Sequence, residues 1–269
     1  MTTLKVDAEE VSRSIEEVAG RVAAMVCGIA QLEVPTKGLA WSLRQTAAHL
    51  VAAASLNAEL LAGNIEPHEA KDIAALNEES LAQVGAVTPE ELADAITGAA
   101  LDLVAAARTH PDGQKVRWVN GVEQDIGTVL GAVLGEFLVH GFDIARSIGR
   151  PWDIRREHAA QAIAALIPVM PMFVHQENAA GFRGSFDIRL RGGVRFVANF
   201  DDGVLTTESP DETPGQRPAD CHISADPVAM LLISYGRVNQ WGQLARGKML
   251  AWGRKPWLAI RFGSLMIDP

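Results

Sequence analysis

Glu136 and His140 stand four residues apart in the run VLGAVLGEFLVHGFDIARSI, and on a helix that spacing projects both side chains from nearly one face, a turn apart. Val129, Val133, Phe137 and Ile144 form one apolar stripe of the same helix, and His140 falls inside it. A carboxylate at the edge of a buried stripe is costly unless something pairs with it. A divalent cation is one such partner. His49, near the start of another predicted helix, can face the same interior when helices pack side by side. Two imidazoles and a carboxylate would supply three ligands and leave a fourth position open, as catalytic sites do. Spacing alone does not decide this, because an isolated Glu-x-x-x-His pair is more often a salt bridge or polar contact. His49 is also only one of seven histidines.

The remaining candidates have plainer roles beside their chemical ones. Asp143, three residues after His140, could accept a hydrogen bond from the ring, or could cap or face water. Arg44, in a first helical turn, could touch an anion or simply be exposed. Cys27 sits in an apolar run and reads as a buried hydrophobe, and Cys221 falls in a predicted strand. Trp241, Trp252 and Trp257 read as core or cavity wall of the second half. His68, His110, His158, His175 and His222 have no helical partner pattern. The chain has no Gly-rich phosphate loop, nucleophile elbow or dinucleotide fingerprint.

The elements that must position these residues are marked in the sequence. Apolar residues at helical spacing predict a first helix from about residue 7 towards 32. Ser42 and Gln45 form a capping-box pattern ahead of a second helix, which Gly63 ends. Thr88-Pro89-Glu90-Glu91 opens a third, reaching roughly Arg108. Asn120-Gly121 predicts a small hairpin, and Thr128 is read as the cap of the fourth helix, closed by Gly149 and Pro151. After a further helical stretch interrupted by Pro168 and Pro171, short alternating runs separated by Gly-Gly and Asp-Asp-Gly turns predict strands. A helix over DPVAMLLISYGR and a late short strand or turn leading to a terminal helix complete an α+β half, with SPDETPGQRPAD as a surface loop. The expected division is a helical bundle over residues 1–176 and an α+β domain over 177–269, with the boundary near 177–181.

At 269 residues with 48% hydrophobic and 21% charged side chains, the chain can bury a large core, which excludes disorder as its general state. The net charge of −9, concentrated in the first 150 residues, argues against nucleic-acid binding. Two cysteines outside any metal spacing, an acidic N-terminal segment and the lack of an uncharged apolar run of spanning length point to a cytoplasmic protein without a membrane role.

WSLRQTAAHLV at 41–51 resembles the opening of the second helix in the mycothiol-dependent maleylpyruvate isomerase family and its DinB-like relatives. EFLVHGFDIARSIGRPW at 136–152 resembles a second segment of that family, in the expected order; Gln45 departs from it where an acid is common. The resemblance implies a four-helix bundle holding a divalent metal, usually zinc, on His49, Glu136 and His140. It implies mycothiol as thiol cofactor, with isomerase or S-transferase action on a small electrophile. It also points to Arg237, after the helix of the second half, as the cation for the substrate's negative charge, although a solvated Arg at a helix end would look the same. The second half is similar to sterol carrier protein 2-like domains, so the alternative function is a lipid or apolar-ligand binder whose metal is structural or missing.

Overall fold

The computed structural model describes residues 6–69, 75, 88–111, 113–210 and 218–267, which divide into two compact units, 6–154 and 155–269. The N-terminal residues 1–5 and the centre of the expected surface loop, 211–217, lie outside the described residues.

The first unit is built on four long helices among the described residues: α1 (Ala8–Cys27), α2 (Leu43–Leu61), α3 (Pro89–Arg108) and α4 (Ile126–Ser147). Local chemistry sets their ends. Asp7 accepts from the Glu10 amide to start α1, and the chain leaves the helix at Gly28, short of the predicted end, with Ile29 and Leu32 buried in the following loop. Both capping boxes form: Ser42 with Gln45 opens α2, and Thr88 with Glu91 opens α3. The hairpin forms too, with β1 (Lys115–Arg117) antiparallel to β2 (Glu123–Asp125), and Asn120 and Gly121 both taking positive φ in the turn.

Thr128 does not cap α4. The helix continues directly from β2, so Asp125 takes the cap position and Thr128 is buried within the first turns. α1 and α2 each pack against both α3 and α4, and their shared core contains Ile15, Leu50, Ile96, Leu130, Leu134 and Phe137. α4 is long and apolar enough to cross a membrane, yet most of it is buried in this packing, as suits a core helix. Gly141 is required where Trp152 crosses α4, because a Cβ there would lie 2.4 Å from the indole. The indole is fixed by its Nε1 donating to the Leu138 carbonyl at 3.0 Å and by the Arg21 guanidinium over its face.

The second unit begins earlier in the chain than the expected 177. Helix α5 (Arg156–Leu166) belongs to it and packs against a later helix of that unit, α7 (Pro227–Ser234). Pro168 and Pro171 turn the chain into a 3-10 segment, Ile167–Phe173, which leads through the single turn α6 (Gln176–Ala179) into the sheet. Five strands follow: β3 (Gly184–Leu190), β4 (Arg195–Asp201), β5 (Val204–Glu208), β6 (Cys221–Ala225) and β7 (Met249–Trp252). Their order is β5-β4-β3-β6-β7, antiparallel except for the central β3–β6 pair. A parallel neighbour requires a crossover. The short α8 (Gln240–Ala245) precedes β7, and α9 (Leu258–Ser264) follows it. Alternation places Phe186, Ile188, Phe196, Ala198 and Ile223 on the buried face, where Phe186 meets Phe262 of α9.

Candidate metal centre

His49 sits just past the first turn of α2, and Glu136 and His140 occupy successive turns of α4. The capping box fixes where α2 begins and so which face His49 takes; the fully buried Leu50 and Phe137 lock the facing surfaces of the two helices. Both imidazoles are buried, while Glu136 keeps about a quarter of its side chain exposed. One carboxylate oxygen, Glu136 Oε2, lies 3.1 Å from His49 Nε2 and 3.3 Å from His140 Nε2. One donor atom from each of the three residues lies within 4.8 Å of the others. Sequence reasoning picked these three out, and the fold brings them together.

The electrostatics favour a cation. Asp143, fully buried one turn further along α4, places its Oδ2 3.2 Å from His140 Nδ1. His140 is therefore held between two carboxylates, one at each ring nitrogen. Burial alone would depress its pKa, but the hydrogen bonds with Asp143 and Glu136 and the attraction of both carboxylates outweigh burial and raise it. Glu136 shows the converse: burial opposes ionisation, and the hydrogen bonds with His140 and His49, with their charge, hold its carboxyl well below the usual range. Asp143 holds a proton on Nδ1, which leaves the Nε2 lone pair for a metal. His49 Nδ1, in contrast, is buried without a hydrogen bond, so beyond its Nε2 contact with Glu136 that ring is oriented by packing.

The packing comes from Trp41, a residue that sequence reasoning quoted in its motif but gave no role. Its ring lies 5.0 Å from the His49 ring and 6.0 Å from the His140 ring, centroid to centroid, so it covers both imidazoles. The loop carrying it is closed by Thr36 N–H donating to the Trp41 carbonyl and by Leu43 N–H donating to that of Val34. It is tied to the end of α4 through the Lys37 amide donating to Ser147 Oγ and Arg146 donating to the Lys37 carbonyl. A tryptophan immediately before an N-cap was the available signal.

The other candidates are dispersed. Arg237 belongs to the second unit, just beyond α7, where its guanidinium donates to the Tyr235 carbonyl. Arg44 pairs with Glu33. Cys27 is exposed at the last residue of α1, not buried as its apolar neighbours suggested. Cys221 is buried in β6, where burial pushes its thiol pKa up. Trp241 within α8, Trp252 at the end of β7 and Trp257 at the cap of α9 are each at least half exposed, so none is core.

Comparison with known proteins places this geometry in a family. None of the curated proteins matches the chain by sequence. Among solved structures, that of the mycothiol-dependent maleylpyruvate isomerase superposes with a TM-score of 0.55 at 16% identity, covering 89% of this chain and 94% of that one. A histidine-to-alanine mutant of the mycothiol-dependent maleylpyruvate isomerase gives a TM-score of 0.57 at 16% identity, over 88% and 93%. At that identity the likeness establishes the shared fold. The family described as mycothiol maleylpyruvate isomerase N-terminal domain matches residues 11–145, a span that includes His49, Glu136 and His140. Because that match covers half of the chain, this protein belongs to the mycothiol maleylpyruvate isomerase N-terminal domain family.

Proposed function

We propose that the chain is a metal-dependent, mycothiol-using enzyme that isomerises a small electrophile. The observation carrying this reading is the convergence of His49, Glu136 and His140 within the segment that defines the family. The donor set fits a divalent cation, and two imidazoles with one carboxylate suit zinc. When bound, such a cation supplies Lewis acidity that holds a coordinated thiol as thiolate at neutral pH. The chain's own residues do the rest. Asp143 fixes the His140 ring and tautomer, Glu136 offsets the ion's charge from the half-open side, and Trp41 keeps water from both imidazoles. We assign Arg237 to the negative charge of the substrate, a role in which Arg237→Met raises KM far more than it lowers kcat.

The thiol acts as a nucleophile. In isomerisation its sulfur adds to one carbon of an activated double bond, the remaining single bond rotates, and expulsion of the same thiol restores the double bond. Mycothiol is then recovered unchanged. In an S-transferase the sulfur instead displaces a leaving group, and one thiol is consumed per turnover. The test is to incubate the zinc-loaded full chain with mycothiol and maleylpyruvate, following substrate geometry and free thiol together. Isomerisation that requires mycothiol and leaves its concentration unchanged supports the proposal; thiol consumption identifies a transferase; turnover without thiol contradicts a thiol role. We place the enzyme in the cytoplasm, in keeping with its two free cysteines.

One observation favours a second reading. The second unit, which we read as sterol carrier protein 2-like, contains an apolar cavity lined by residues that include Leu166, Phe196, Ile223, Met230 and Phe262. A lipid co-purifying with the full chain and displaced by a bulky substitution at Met230 would support apolar-ligand binding there.

A further inference from the structure

The sheet face opposite the buried one carries a polar pocket that the proposed enzyme chemistry does not use. Strand register builds it. Asp187 of β3 pairs across to His222 of β6, and His222 to Trp252 of β7; one step along, Arg189 of β3 lies opposite Arg195 of β4 and Ser224 of β6. These side chains share one face, and Arg191 of the β3–β4 turn closes the pocket.

Two guanidiniums directly opposite on neighbouring strands repel each other. Arg195 relieves part of this by turning back on Asp187 in a two-point pair, with Nε to Oδ1 and Nη2 to Oδ2 both at 2.8 Å. The same carboxylate binds His222 Nδ1 at 2.8 Å, so Asp187 is neutralised by Arg195 and also orients the imidazole. Its pKa is lowered, first by the hydrogen bond from Arg195. Arg189 is left without any hydrogen bond or ion pair among the described residues, and so are Ser224 Oγ and His222 Nε2. Arg191 donates through Nη2 to the carbonyls of Gly247 and Lys248, while its Nε is buried and unbonded. Trp252 stacks on His222 with ring centroids 5.5 Å apart and planes 15° from parallel, and forms a half-exposed wall.

Among the described residues the pocket sets three guanidiniums against one carboxylate already engaged, with hydrogen-bonding groups that lack partners. We propose that this sheet face is a binding site for a small dianionic oxyanion, held by Arg189, Arg191 and Ser224 and oriented by His222 against Trp252. A dianion matches the surplus charge, and phosphate or dicarboxylate groups are its two chemical sources. The site is independent of the metal reading.

The test uses the full chain with labelled histidine, titrated at constant ionic strength with inorganic phosphate in one arm and malonate in the other, following the His222 ring signals by NMR. Saturable shifts in either arm support the site, and the responding arm names the ligand class. Because Arg189 is exposed and unpartnered, Arg189→Gln should fold normally, checked by its thermal midpoint, and weaken binding by about tenfold or more. Ser224→Ala gives a smaller loss. Arg183→Gln, which removes an exposed guanidinium paired with Asp201 outside the pocket, should leave affinity unchanged. The proposal is overturned by the absence of saturation in both arms, or by equal weakening in Arg183→Gln and Arg189→Gln, which would mean diffuse charge attraction.

Discussion

Replacing Asp143 by alanine tests how the candidate metal centre is held. The side chain is fully buried and does not point at the cation position; it acts through the 3.2 Å contact of Oδ2 with His140 Nδ1. Alanine leaves a buried imidazole N–H without an acceptor and frees the ring to change tautomer, so that Nε2 carries the proton where a metal needs a lone pair. Loss of such a supporting group reduces metal affinity by about 10- to 100-fold, equivalent to roughly 1.4–2.7 kcal/mol. Asp143→Asn keeps an oxygen acceptor but loses the charge, and its affinity should fall between those of the parent and Asp143→Ala. The assay is zinc competition against a chromophoric chelator on proteins whose folding has been checked by circular dichroism. An Asp143→Ala affinity within twofold of the parent would refute the claim that this carboxylate sets the His140 tautomer.

Three other predictions follow from the same geometry. The raised pKa of His140 means its contribution to metal-free stability is fully present below the ordinary value of 6.5 and is lost as pH rises through the raised value. The lowered pKa of Glu136 makes its contribution present above 4.5 and lost in acid. The thermal-midpoint difference between chelated wild type and His140→Gln should therefore shrink between about pH 6 and pH 9; a difference that grows over that range would contradict the assignment. Gly141→Ala forces a methyl group into the Trp152 ring, which its hydrogen bond to Leu138 holds in place, so it should cost about 1–3 kcal/mol and lower the thermal midpoint. Ser42→Ala removes the α2 cap and should cost about 1 kcal/mol in urea unfolding, while Gln45→Glu should preserve the capping box.

Much of the first unit was legible because its signals are local. Ser42, Gln45, Thr88 and Glu91 mark helix starts through hydrogen bonds spanning three residues, and the Glu136–His140 spacing needs only helical periodicity. Thr128 misled because its hydroxyl resembles a cap, whereas the helix start is decided by the end of β2 at Asp125. The two compact units divide at 154/155, ahead of the expected 177, for a related reason. α5 has the composition of the preceding helices, and only its packing on α7 shows where it belongs. The Asp187–His222–Arg195 cluster was invisible, since it depends on a parallel β3–β6 register that no local pattern encodes. Trp41 covers the imidazoles through a loop closed by backbone hydrogen bonds, which composition does not reveal either.

The most direct measurement is zinc titration by calorimetry into the chelator-treated full chain, run in parallel on His49→Ala, Glu136→Ala and His140→Ala. The account predicts tight binding of close to one equivalent in the parent, with proton release, and its loss in each variant. Undiminished binding in His140→Ala, or no stoichiometric binding in the parent, would contradict it.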